Sequence, residues 1–222
     1  MASHSVSKNK PSKTPRGRPK VSGQALAERQ KVVLDAAGNL LAERPSGDIT
    51  VEQLIQAAGT SRPTFYRWFP DGIDQVFDML IAQANEDLAN RIIVAIAASD
   101  DTTQRLKNGI QAYFDWALEH GPLTYGIYRE GFDAKTMACR YRQQIIQWMV
   151  SLALEKAAEI GLTNISELSV ETTICWVECS VATLFQRYPV TEELARQQQE
   201  LTTDMVLAAV KAIIGDMPSE QS

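Results

Sequence analysis

Apolar residues along this chain recur every three or four positions and scarcely ever alternate, which is the spacing one face of a helix buries. Val33, Ala37, Leu40 and Leu41 predict a helix over about 24–43, broken by Pro45–Gly47. Thr50 with Gln53 three residues later reads as a capping box. It opens a short second helix whose apolar face is Val51, Leu54, Ile55 and Ala58, and Gly59 is placed to end it in the left-handed conformation. Thr60 or Ser61 caps a third helix with Pro63 in its first turn, where proline is tolerated. That helix runs to about Phe69, ahead of Pro70-Asp71-Gly72. Further helices are predicted over 73–98, 102–120, 122–130, 134–160, 166–188 and 191–214. The expected fold class is all-α: an N-terminal three-helix helix-turn-helix domain over 23–71 and a C-terminal helical domain over 72–222. Residues 1–22, rich in Ser, Lys and Pro, read as a flexible basic arm.

Charge sharpens this division. The net charge is −5 over 222 residues, yet residues 1–70 carry +6 and residues 71–222 therefore −11. One end is suited to a polyanion and the other repels it. Three cysteines (Cys139, Cys175 and Cys179) are an odd number and give no disulfide framework. His4 and His120 stand far apart, leaving little material for a histidine metal site or a Ser-His-Asp triad. No catalytic residues, metal or cofactor are expected. The longest purely apolar run, Ile92–Ala98, is too short to span a bilayer, and no apolar stretch follows the basic N-terminus. A cytoplasmic, non-enzymatic protein without a membrane partner is the expectation.

The third helix carries the candidate chemistry. Phe65 and Phe69 are four apart and share a face to be buried, while Thr64, Arg67 and Trp68 project elsewhere and Arg62 and Pro63 lie at the N-terminal tip. Recognition helices reach base edges with such N-terminal residues, and flanking groups hold phosphates. Arg62 is able to donate two hydrogen bonds to a guanine.

The segments RGRPK and ITVEQLIQAAGTSRPTFYRWFPDGIDQVF strongly resemble the N-terminal domain of the TetR family of bacterial transcriptional regulators, over roughly residues 16–80, with AAGTSRPTFYRWF the most specific block. The resemblance implies a homodimer, usually a repressor, whose C-terminal domain binds a small ligand that releases a near-palindromic operator in double-stranded DNA. It places Arg62, Pro63, Thr64, Tyr66, Arg67 and Trp68 at DNA-contacting positions and Phe65 and Phe69 in the core. Thr50, Thr60 and Ser61 complete the expected DNA face. Gly72 stands where the family often has a lysine that touches phosphate. At this position the phosphate is either left without a partner or held by the helix N-terminus alone. In the arm, Pro15-Arg16-Gly17-Arg18-Pro19-Lys20 resembles an AT-hook core. Arg16, Arg18 and Lys20 are expected either to enter a narrow minor groove or to tether DNA non-specifically.

The last two helices are apolar on more than one side. Ile174, Val177, Val181 and Phe185 on one, and Leu201, Met205, Ala208 and Ala212 on the other, are expected to form a two-fold dimer interface. Tyr113, Trp116, Tyr128 and Trp148 are the leading candidates to line a pocket for a largely apolar effector, with plain core packing as the competing reading. Cys175 and Cys179 are expected to pack inertly, and Glu171 and Glu178 to be solvent or interface charges. The competing functional readings are an architectural DNA binder with weak sequence preference and no effector, and an all-helical enzyme or ligand carrier.

Overall fold

The computed structural model describes residues 23–187 and 189–215. Their regular structure is helical: α1 (Gly23–Glu43), a 3-10 turn (Ser46–Asp48), α2 (Val51–Ala57), α3 (Arg62–Trp68), α4 (Ile73–Ala97), α5 (Thr102–His120), α6 (Pro122–Glu130), α7 (Met137–Glu159), α8 (Glu167–Phe185) and α9 (Glu192–Gly215). The all-α architecture stands, with an N-terminal helix-turn-helix followed by a helical bundle. Arg16, Arg18 and Lys20 lie outside the described residues.

Local chemistry sets the helix ends. Thr50 accepts from the Gln53 amide at 3.2 Å while the Gln53 side chain accepts from the Thr50 amide at 2.8 Å, so two of the orphan donors at the start of α2 are satisfied reciprocally. Gly59 takes φ 59° in the turn between α2 and α3, a conformation that costs glycine little and most other residues more. α7 begins at Met137 rather than 134, because Thr136 caps it by accepting from the Cys139 amide at 3.2 Å. Asp133 and Lys135 stay in the preceding turn. α8 stops at Phe185, three residues short of the sequence-based span.

Burial follows the helical period. α1 buries Val33, Leu34, Ala37 and Leu41, and α4 buries Val76, Phe77, Leu80, Ile81, Ala84, Leu88 and Ile92 along its whole length. At 1.5 Å per residue, α4 is about 38 Å long and carries one apolar stripe from the three-helix unit into the bundle. A single core cluster runs from Val33 to Val206, so the two regions share packed apolar side chains.

α6 makes a second bridge. A methyl group added at Gly126 would sit 2.5 Å from the Leu41 carbonyl oxygen and 3.1 Å from Leu41 Cγ; only glycine lets α6 lie this close to α1. Arg129 Nη2 donates to the Leu41 carbonyl at 2.6 Å, satisfying one of the orphan acceptors at the end of α1. The Ser46 hydroxyl donates to Glu130 Oε2 at 2.7 Å, and the Ser46 amide donates to the same carboxylate. Glu130 is buried in this contact.

Candidate nucleic-acid interface and core cavity

α3 divides its residues sharply between two environments. Phe65 and Phe69 are fully buried, with ring centroids 5.5 Å apart. Ser61, Arg62, Pro63, Tyr66 and Arg67 are exposed around them, and Thr64 is half-buried. On the neighbouring helix ends, Thr50 is exposed and Thr60 half-buried. Thr50 spends its hydroxyl on the cap of α2. Trp68 sits lower than a free contact residue would: it is half-buried against the core, and its carbonyl accepts from Gln30 Nε2 at 3.1 Å. Small hydrogen bonds order the exposed row. The Ser61 hydroxyl donates to Thr64 Oγ1 at 2.9 Å, and Arg67 Nη2 donates to the same oxygen at 3.4 Å. Gly72 forms the N-cap of α4 with no side-chain cap.

Sequence reasoning overlooked one member of this surface. Glu52, at the second position of α2, accepts from Nη1 of Arg62, and the Arg62 guanidinium carbon lies 5.6 Å from the Tyr66 ring centroid. An acidic residue in the first turn of a short helix ordinarily reads as a favourable partner of the helix dipole. Its spacing of ten residues from Arg62 means nothing until α2 and α3 are packed together.

Farther down the bundle, Tyr113, Trp116 and Tyr128 converge on a cavity of about 20 Å³ bounded also by Ile81, Leu88 and Ile145, room for about one water molecule. Trp148 does not reach it; it packs beside the core elsewhere on α7. The two phenol oxygens are 2.6 Å apart, and the Trp116 indole donates to the Ala84 carbonyl at 3.0 Å. Burial raises the pKa of both tyrosines above the ordinary phenol range, so both remain protonated. Arg142 and Glu178 close one side. Arg142 donates from Nε and Nη2 to the two carboxylate oxygens, each at 2.6 Å. Its guanidinium carbon stands 4.3 Å from the Phe132 ring centroid. Glu178 is therefore a buried, bidentate partner and not a solvent or interface charge as its sequence context suggested; Glu171 is exposed. A wider open cleft of about 450 Å³ between α5 and α9 is lined by polar groups such as Lys107, Asn108, Glu200 and Asp204, an unsuitable lining for an apolar molecule.

The expected dimer residues separate into two groups. On α9, Leu201, Met205, Ala208 and Ala212 lie on the outer side, with Leu201 and Met205 exposed. On α8, Val177, Val181 and Phe185 are buried within the subunit's own core and Ile174 is half-buried, so the assigned stripe is the inward one. The helical period holds and the facing is reversed, because α8 is apolar on both sides. The outward stripe is Leu168, Thr172, Trp176, Cys179 and Thr183, with Leu168 71% and Trp176 43% exposed. Cys179 is exposed on that stripe, whereas Cys175 is half-buried beside Arg142. Among the described residues α8 is also the one helix long and apolar enough, by length and composition, to cross a membrane. Its inner face is occupied by protein core.

Residues 33–78 match the model of the bacterial regulatory proteins, tetR family. The transcriptional regulator EthR of Mycobacterium tuberculosis is 33% identical over 111 residues, covering 50% of this chain and 51% of that protein; the chain thus matches about half the length of this relative. A tetR-family regulator structure from Streptomyces coelicolor superposes with a TM-score of 0.60 at 22% identity, covering 87% of this chain and 91% of that one. The regulator FadR from Bacillus subtilis, solved in complex with stearoyl-CoA, superposes with a TM-score of 0.67 at 15% identity, covering 81% and 98%. The buried phenylalanines and exposed polar row of α3 fall inside the matched segment, and the helical remainder follows the fold of these structures. Over residues 33–78 the chain is similar to the tetR family of bacterial regulatory proteins, and its helical fold is shared by solved tetR-family structures.

Proposed function

We propose that this chain is a dimeric, sequence-specific DNA-binding transcriptional regulator, acting as a repressor and released from a near-palindromic operator by a small apolar ligand. The observation that carries the reading is the division of α3 into a sealed phenylalanine face and an exposed face of Ser61, Arg62, Tyr66 and Arg67. Two such helices in a two-fold dimer would enter successive major grooves about 34–36 Å apart. Residues 23–71 act as the DNA-binding domain and 72–222 as the effector and dimerisation domain.

The dimer reading is supported by the outward apolar stripes of α8 and α9, with Trp176 and Met205 as its central anchors. Such a stripe is buried economically against its own copy as a four-helix interface. Trp176→Glu is expected to convert the protein to monomers and to abolish tight operator binding, because each half-site would then be held by one subunit alone. Analytical ultracentrifugation reads the first effect; an unchanged dimer would move the interface elsewhere.

The ligand reading rests on the cavity among Tyr113, Trp116 and Tyr128. Within the phenol pair one hydroxyl donates to the other, which leaves one phenolic hydrogen for a ligand acceptor. Charge in the cavity wall is already balanced by the Arg142–Glu178 pair, so a ligand bringing net charge would be buried without a partner. A neutral, largely apolar molecule with one oxygen acceptor fits this wall. It would have to widen a cavity of about 20 Å³, and it acts on DNA binding only by preferring the widened form. Tyr128 on α6 lines the cavity, and Arg129 and Glu130 on the same helix grip the end of α1 and Ser46. Widening would thereby reach the DNA-binding unit through α6 as well as through α4.

The test is selection of bound fragments from random DNA, followed by the variant Arg62→Ala. Removing the guanine partner is expected to cost about 1–3 kcal/mol of preference for the selected site. Equal weakening on selected and random duplexes would favour an architectural DNA binder instead.

A further inference from the structure

The DNA-facing surface contains a carboxylate where a polyanion is expected to dock. Glu52 and Arg62 are both mostly exposed, with side chains 65% and 61% accessible, so the pair is not there to rescue a buried charge. Exposed pairs contribute little to stability; this one acts on the arginine's freedom and charge. Glu52 engages Nη1 of Arg62. Among the described residues Glu52, on Nη1, is the acceptor that meets Arg62 in full hydrogen-bond geometry, and Tyr66, its ring centroid 5.6 Å from the guanidinium carbon, is a further but weaker polar neighbour. The edge left open, Nε with Nη2, is one of the two-donor edges of a guanidinium that match guanine O6 and N7.

We propose that Glu52 is a specificity-determining positioning residue for DNA, holding Arg62 by Nη1 so that its Nε–Nη2 edge reads a guanine while its charge is withheld from phosphates. The inference rests on the DNA-binding reading above and deepens it. An unpartnered arginine at this tip would be satisfied by any phosphate, and phosphate contacts carry no sequence information. With Glu52 beside it, approach of a phosphate brings two anions together, and the neutralised arginine gains little. Approach of a guanine edge brings neutral acceptors to donors already aimed and leaves the Glu52 hydrogen bond intact. The carboxylate thus weakens binding to random duplex more than to a site with guanine at the matching position.

The full-length protein and its Glu52→Gln variant are compared on the best fragment selected from random DNA and on a random duplex of equal length, across a salt series. Glutamine keeps an acceptor for Nη1 but removes the negative charge, and an exposed position leaves the melting temperature unchanged. The variant is expected to bind random duplex about tenfold more tightly, with a salt slope steeper by about one, while gaining little on the selected fragment. The specificity ratio then falls about tenfold. In an Arg62→Ala background the same substitution is expected to leave the ratio unchanged, because Glu52 acts through Arg62. Equal tightening on both duplexes, or an undiminished effect without Arg62, would overturn the inference and reduce Glu52 to a bulk surface charge. Failure of the wild-type protein to select any sequence would instead overturn the DNA-binding reading itself.

Discussion

Phe65→Ala is expected to disrupt the three-helix unit and remove DNA binding with it. Phe65 is fully buried, its ring lies 5.5 Å from that of Phe69 and 5.3 Å from that of Tyr66, and α3 has only seven residues. A helix this short has no independent stability in water and persists through its tertiary packing. Truncating a buried phenylalanine to alanine costs about 3–5 kcal/mol, a large share of the stability of an ordinary domain. Chemical denaturation followed by circular dichroism is expected to show an earlier transition, with binding to any DNA abolished in the same range. Tyr66→Ala provides the contrast. That side chain is 38% exposed, so the melt should move little while the guanidinium of Arg62 loses its aromatic neighbour. A small stability change for Phe65→Ala would mean that α3 is not held by its phenylalanine face.

The second large effect is expected at Glu178. Its side chain is 4% exposed and that of Arg142 19%, and the two form a bidentate pair at the cavity wall. Glu178→Ala leaves a half-buried guanidinium without its partner; breaking a fully buried pair costs about 3–5 kcal/mol, and partial access of water to Arg142 places this loss at or below the lower end of that range. Phe132 stacks on the other side of Arg142 and supplies no acceptor. Replacing both members by apolar residues of similar volume is expected to restore most of the stability, since desolvation of the two charges offsets much of their attraction. The comparison is a urea midpoint for the single and the double variant. Equal destabilisation by both would show that packing volume, not the unpaired charge, dominates at this wall. A further consequence concerns the proposed effector site: with Glu178 alone removed, the unpaired Arg142 guanidinium offers a partner to an anion, so discrimination against anionic ligands should weaken, whereas in the apolar double variant it should persist.

Much of this protein is legible residue by residue because its decisive signals are local. The Thr50–Gln53 box, the Gly59 turn and the Pro63 start each act within four residues, and the structure places all three as expected. Phe65 and Phe69 announce a buried face through helical spacing alone. Periodicity fails where a helix is apolar on two sides. In α8 the stripe of Val177, Val181 and Phe185 and the stripe of Leu168 and Trp176 both satisfy the helical repeat, and only packing against α7 and α9 decides which one turns inward. Aromatic identity misleads for the same reason: Trp148 resembles Trp116 in composition, yet only Trp116 reaches the cavity.

The amino-acid order by itself determined the helical class, the helix-turn-helix, the polar row of its third helix and the opposed charges of the two ends, since these depend on neighbours one or two turns away. Tertiary structure alone decided the long-range pairs: Glu52 with Arg62, Arg142 with Glu178, Ser46 with Glu130, and Gly126 against Leu41. Charge pairing and close backbone approach depend on distances of a few ångströms. Those distances come into being only when helices remote in the chain are pressed together by the burial of their apolar faces.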